Sequence, residues 1–182
     1  MRVLGIAGSL RRGSYNRALL DAAVQLAPAS MTVEPFDLAD IPLYNGDLDA
    51  DERRPDEVVA LKEAVASSDA VLIATPEYNH SVPGVMQNAI DWASRPGGNS
   101  PLKGKPAAIV SASTGVIGGA RAQQQLKLVL MSTFAFVLPH PGVVVGQATE
   151  KFDASGTLTH EPTRQFLAAF LKDLEAWTQR FT

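Results

Sequence analysis

The 182-residue sequence predicts a doubly wound α/β fold: a five-stranded parallel sheet with helices on both faces, in a single domain. Three observations lead there. Apolar runs alternate with helix-compatible stretches from one end of the chain to the other, the pattern of repeated βαβ units. Residues 70–76 (AVLIATP) and 107–113 (AAIVSAS) are continuously apolar or small, as strands buried on both faces must be. Polar loops marked by glycine, serine or proline follow the first, third and fourth runs, where sheets of this kind bind their ligands.

The elements follow in order. Residues 2–7 form a buried strand, and 15–27 a helix that ends before Pro28. Residues 31–38 (MTVEPFDL) form a second strand, with Pro35 marking a sheet edge or the strand's end. A proline-punctuated polar stretch from Asp40 to Pro55 precedes a helix over 56–68, whose apolar positions are Val58, Leu61 and Val65. After the strand 70–76, Ser81 caps a helix with Pro83 near its first position, running to about Ser94. A loop over 95–106, the strand 107–113 and a helix over 118–134 come next. The final strand region comprises FVLP and GVVVG, interrupted by His140 and Pro141. The helix over 162–181 carries Phe166, Phe170, Leu174, Trp177 and Phe181 as a core-facing stripe. The sequence holds no internal repeat, low-complexity tract or interdomain linker.

Composition narrows the function. The chain is 46% hydrophobic and 19% charged, with a formal net charge of −3, a balance without the basic face that nucleic-acid binding needs. Cysteine is absent, which removes disulfides, thiolate metal sites and cysteine nucleophiles. The first apolar run is broken by Gly5 and Gly8 and is too short for a signal peptide, and no run approaches a membrane span. A soluble, cytoplasmic protein is expected, with neither nucleic acid nor membrane as partner. The Asp47–Asp51 acidic run lacks a calcium-loop pattern and reads as a solvated loop, so no metal site is expected. His140 and His160 read as ordinary loop histidines.

The first loop, within AGSLRRGSYNRALL (7–20), is the most informative. Amide groups at a helix N-terminus, with hydroxyls from Ser9 and Ser14, make an anion site, and Arg11 or Arg12 adds a charge-assisted contact to phosphate. The dinucleotide fingerprint fails because the glycines fall at 5, 8 and 13. Gly8 and Gly13 have P-loop spacing, but Ser14 and Tyr15 stand where Lys and then Ser or Thr belong. A terminal monophosphate suits this loop; a polar turn with helix-capping serines is the alternative reading. The second segment, TPEYNHSVPG, sets proline and an aromatic directly after the most hydrophobic strand. That fits the edge and flat faces of a flavin ring.

Together GSLRRGSYN, TPEYNHSVPG…NAIDWASR and SASTGVIGGAR resemble the flavodoxin-like NAD(P)H-dependent FMN reductases, a family of quinone, chromate and azo-dye reductases. The resemblance runs from residue 3 to about 146, with the blocks in order at the predicted strand ends. It implies that Ser9, Arg11, Ser14 and Asn16 belong to a phosphate-binding loop, with Tyr15 at a position usually aromatic. Pro76, Glu77, Tyr78 and Asn79 match the loop bordering the isoalloxazine, largely through backbone atoms. Ser111, Ala112, Ser113 and Gly115 match the third loop, and Ala112 stands where relatives often carry Ser or Thr. His80 replaces a frequent Tyr and is a substrate-side candidate. FMN is the implied cofactor, NADH or NADPH the co-substrate, and hydride passes through flavin N5 to a small acceptor in ping-pong fashion, without a catalytic side chain.

Two other functions compete. A flavodoxin-type electron carrier binds FMN but serves only protein partners; such carriers are strongly acidic, and −3 is modest. A serine hydrolase would use Ser113 in SASTG, which departs from the nucleophile elbow by Ser111 in place of the first glycine. The flavin reading explains three loops and the hydrolase one. The resemblance also implies a homodimer or homotetramer. Ile41, Pro42, Leu43 and Tyr44, with Val85, Met86, Ile90 and Trp92, are the apolar residues expected to supply the contact.

Overall fold

In the computed structural model, which describes residues 1–50 and 52–181, strand and helix alternate from the start. β1 (Arg2–Ala7) leads to α1 (Tyr15–Leu26), β2 (Thr32–Phe36) to α2 (Asp56–Ser67), and β3 (Ala70–Ala74) to α3 (Gly84–Ala93). β4 (Pro106–Ala112) leads to α4 (Ala120–Ser132); β5 (Phe136–Val137) and β6 (Val143–Val145) then precede α5 (Glu161–Thr178). The strand order is β2-β1-β3-β4, and all pairings are parallel. Pro35 does lie on the edge strand, opposite Gly5.

The fifth position of the sheet is shared. β5 pairs with β4 at Pro106 and Ala107, and β6 pairs with the same edge of β4 at Val110, Ser111 and Ala112. Pro139 and Pro141 lie between them, and a proline cannot donate to a ladder, so the strand breaks there and resumes. The expected five-position parallel sheet is present with that interruption.

Alternate residues of each central strand face opposite layers. Val3, Leu72 and Val110 pack on the layer of α1 and α5 with Leu19, Leu20, Phe170 and Leu171. Ile6, Ile73 and Ile109 pack on the other layer with Leu61, Met86 and Leu126. Both faces are therefore apolar, which is why β3 and β4 read as unbroken hydrophobic runs. The order of strand addition switches sides at β1 and β3, and because all strands run parallel the loops after β1, β3 and β4 lie at the same, carboxyl-terminal end of the sheet.

Three expectations are corrected. The buried stripe of α5 is Leu167, Phe170, Leu171, Leu174 and Thr178, whereas Phe166 and Phe181 are exposed. Phe170 and Leu174 lie on the expected face, while its flanks are Leu167, Leu171 and Thr178; Trp177 is only partly buried, donating to Phe136 O (2.8 Å) and packing with Phe181. Ser81 does not cap α3: its backbone pairs with Tyr78, and Pro83 occupies the cap position. Met86, Ile90 and Trp92 are buried in this chain's own core and offer no contact surface. Trp92 Nε1 and Asn88 Nδ2 both donate to Pro42 O at 2.8 Å, and Tyr44 packs edge-on against Trp92 at 4.8 Å, which ties the 40–50 loop to α3. Leu43 alone of that group is fully exposed.

His140 packs edge-on against Phe170 at 5.0 Å, and His160 caps α5 by accepting from Thr163 N–H, so both histidines have local roles. Asp51 of the acidic run lies outside the described residues. Among those described, no group of histidine or carboxylate side chains has the arrangement to hold a metal, and no helix is long and apolar enough to cross a membrane.

Candidate active site

The loop after β1 presents a row of free donors. The N–H groups of Ser9, Leu10, Arg11, Arg12 and Gly13 make no hydrogen bond to any described residue, while Gly8 N–H is anchored on Ala74 O at 2.9 Å. Ser14 closes the row as the N-cap of α1. Its hydroxyl oxygen accepts from Asn16 and Arg17 N–H at 3.2 and 3.4 Å, which leaves its own O–H free to donate. Arg11 and Arg12 are exposed and unpaired, and the Arg11 guanidinium folds back over Gly13: a Cβ there would lie 3.3 Å from its Nη1. Consecutive amides beside a cationic side chain form an anion nest. The donor set fits a phosphate.

Ser9 is buried, and its hydroxyl lies 3.4 Å from the Tyr78 hydroxyl, which brings the first and second loops together. Tyr15 is partly buried against Phe152, with ring centroids 5.4 Å apart. Asn16 is buried and forms a reciprocal clamp with the end of β4: its Nδ2 donates to Ala112 O and its Oδ1 accepts Ala112 N–H, each at 2.9 Å. Both ends of the Asn16 amide are thereby occupied by backbone.

The loop after β3 is a tight turn. Tyr78 and Ser81 exchange backbone hydrogen bonds at 3.2 and 3.0 Å around Asn79 and His80, both with positive φ. Pro76 is buried at its base, while Tyr78, Asn79 and His80 are exposed, and the Glu77 and Asn79 amides are free. The Glu77 side chain points away to α4. Its Oε1 accepts from Arg121 Nε at 2.8 Å, and its Oε2 accepts the Arg121 and Ala122 N–H groups at 3.1 and 3.4 Å. A carboxylate there satisfies orphan amides and complements the helix dipole, where Gly119 at the cap position has no side chain to do so.

The loop after β4 is shaped from beneath. Ser111 is fully buried, donates to Gly118 O at 2.7 Å, and accepts from Gln123 Nε2 at 2.7 Å. It faces the protein and not the loop surface. Gln123 Nε2 also donates to Val143 O at 2.9 Å, and its Oε1 is buried without a partner. Ser113 accepts from Gly115 N–H at 3.2 Å, and no histidine among the described residues lies within hydrogen-bond distance of it. A Ser–His pair is therefore missing for a hydrolase. Arg121 and Gln123 are the residues sequence reasoning left without a role. Arg121 stood inside the SASTGVIGGAR block, but its partners lie on another loop and leave no local signal.

A doubly wound sheet with three loops at the carboxyl ends of its strands, the first of them a row of free amides beside a cationic side chain, defines a mononucleotide-binding protein of flavodoxin-like architecture. Residues 1–150 match the family described as NADPH-dependent FMN reductase, and the chain belongs to that family. It is an FMN-linked NAD(P)H oxidoreductase. It is 46% identical to an NAD(P)H-dependent FMN reductase of Pseudomonas aeruginosa, over 99% of this chain and 96% of that one. It is 39% identical to a 2-hydroxy-1,4-benzoquinone reductase of a Burkholderia species, over 98% and 97% of the two chains. Among solved structures it is similar to FerB, a flavoenzyme NAD(P)H:(acceptor) oxidoreductase of Paracoccus denitrificans. That match has 40% identity and a TM-score of 0.89, covering 98% of this chain and 97% of that one.

Proposed function

We propose that this enzyme passes hydride from NADH or NADPH, through FMN held at the three loops, to small acceptors of the quinone type. Chromate, azo compounds and free flavin fall within the same acceptor range. The observation that carries the reading is the run of five unpaired amides from Ser9 to Gly13 beside Arg11, a site for a single terminal phosphate. The quinone-reducing relative supports the acceptor class.

In this reading Ser9, Arg11 and Ser14 hold the phosphate, with Tyr15 flanking it. Asn16 sets the distance between that loop and the third one through its clamp on Ala112. Pro76, Glu77, Tyr78 and Asn79 border the ring, Glu77 through its free amide, since its carboxylate is held by α4. Ser113 and Gly115 face the polar edge and ribityl chain; Ala112 backs them, its N–H and C=O held by Asn16, and Ser111 acts beneath by fixing Gly118. FMN, when bound, supplies a two-electron centre that takes hydride from a nicotinamide and reduces an acceptor. The chain's own task is to hold that group, keep one face open for the two substrates in turn, and shield the other.

The unit is residues 1–182 as a single domain working in the cytoplasm, where NAD(P)H is available. Self-association into a homodimer or homotetramer belongs to the same proposal. It is supported by Leu128, Met131 and Phe134, which lie exposed along and just beyond the outer face of α4.

The test is direct. Purified protein is loaded with FMN, and NAD(P)H oxidation is followed with a quinone and no protein partner. Parallel double-reciprocal lines are expected. An enzyme that consumes NAD(P)H only with a redox protein added would be an electron carrier, and retention of FAD in preference to FMN would contradict the monophosphate site.

A further inference from the structure

The turn after β3 carries a residue that its backbone disfavours. Asn79 and His80 have φ values of 50° and 63°, and the paired Tyr78–Ser81 bonds make this a two-residue turn of the type I′ kind. Glycine suits the second position of such a turn, and asparagine tolerates the first. Histidine at the second position carries conformational strain that glycine would remove. Strained positions of this kind gather at functional sites.

The His80 side chain is not loose. Its Nε2 lies 3.2 Å from Arg121 Nη1, and a guanidinium nitrogen only donates, so Nε2 is the acceptor. The ring proton of the neutral imidazole therefore sits on Nδ1. That N–H has no partner among the described residues, and the residue is exposed. Arg121 is itself held, by the Glu77 carboxylate at 2.8 Å. Glu77 in turn is anchored on the first amides of α4. The chain of contacts runs from a rigid helix end to one free N–H at the rim of the site.

We propose that His80, locked in this tautomer by Arg121, orients the electron acceptor by donating a hydrogen bond from Nδ1–H to an acceptor carbonyl oxygen. Arg121 is the positioning residue that acts through it. The ligand class is a compound with a ring carbonyl, a quinone above all. This rests on the reading that FMN lies against residues 76–79, and it adds a specificity device to that site.

The experiment compares two acceptors with FMN-loaded enzyme and NADH: 1,4-benzoquinone, and ferrocenium, which carries no oxygen. The readout is the ratio of kcat/KM for quinone to that for ferrocenium. H80G should lower this ratio about three- to ten-fold, the equivalent of one hydrogen bond, through a raised quinone KM. Its thermal midpoint should hold or rise as the strain is removed. H80N keeps an N–H donor and tolerates the left-handed turn, so it should recover part of the ratio. R121Q should lower the ratio as H80G does, and the double variant should be no worse than H80G alone. An unchanged ratio in H80G, or additive losses in the double variant, overturns the proposal. A separate readout needs no turnover: 15N shifts of His80 at mildly alkaline pH should show the proton on Nδ1, and a proton on Nε2 overturns it. Wild-type enzyme inactive with both acceptors would instead refute the FMN reductase reading, leaving the tautomer measurement to stand by itself.

Discussion

Replacing Asn16 with Ala separates a cofactor contact from a structural clamp. The wild-type side chain is buried and makes two 2.9 Å hydrogen bonds, both to Ala112, a residue 96 positions away in the chain. The substitution leaves the Ala112 N–H and C=O without partners in a buried position. Each stranded group costs about 1–3 kcal/mol, so about 3 kcal/mol is expected in all, allowing for some relaxation. The unfolding entropy of a chain this size is about 0.4 kcal/mol/K, which turns that loss into a Tm lowered by about 8 °C. Thermal melts of apoprotein and of FMN-saturated protein are the assay. The clamp predicts the same loss in both forms, because the bonds are internal to the chain. A Tm within about 2 °C of wild type would refute the energetic argument. A loss confined to the FMN-saturated form would show Asn16 to be a flavin ligand after all.

Arg11→Ala should raise the FMN dissociation constant about 10- to 100-fold, the value of one charge-assisted phosphate contact, as read by flavin fluorescence titration; an unchanged constant would assign the phosphate to Arg12 or the amides alone. Gly118→Ala should lower the urea midpoint, because φ is 64° and a Cβ would lie 2.7 Å from both Gly146 N and Val144 Cγ1; a midpoint equal to wild type would mean that the loop after β4 yields freely. Ser155 and Thr157 donate to Asp153 and hold its carboxyl below the usual carboxylate range. Its stabilising contribution is thus complete above the unfolded value of about 3.9 and lost as pH falls through the lower folded value. Urea midpoints of wild type and D153N should therefore converge in strong acid, and a constant gap at every pH would contradict this.

Much of the fold was legible because its signals are local. The double-sided burial of β3 and β4 shows directly as continuous apolar runs, and the alternation with helices follows from 3.6-residue periodicity. Ser14 was readable as a capping residue because a cap acts within three positions of itself. Placing the loops at one end of the sheet needed only the parallel topology. The α5 stripe was right at Phe170 and Leu174 and wrong at its flanks, since Phe166 and Leu167 are both apolar and only the sheet beneath decides which one faces inward. Met86, Ile90 and Trp92 exceed one helix face because α3 is covered twice: Met86 and Ile90 pack into the layer against the sheet, and Trp92 is held by the 40–50 loop.

The sequence by itself determined the architecture, the positions of the three loops and the anion-compatible composition of the first of them. Each of these depends on residue type and near-neighbour spacing. The tertiary structure decided what the side chains in those loops do: Asn16 reaches Ala112, Glu77 reaches Arg121 across 44 residues, and Ser111 turns inward to Gly118 and Gln123. A polar side chain has few bonds to give, and which partner takes them depends on strands and helices brought together by the order β2-β1-β3-β4. Helical and strand periodicity specify which face a residue lies on, but not which distant atom will meet it there.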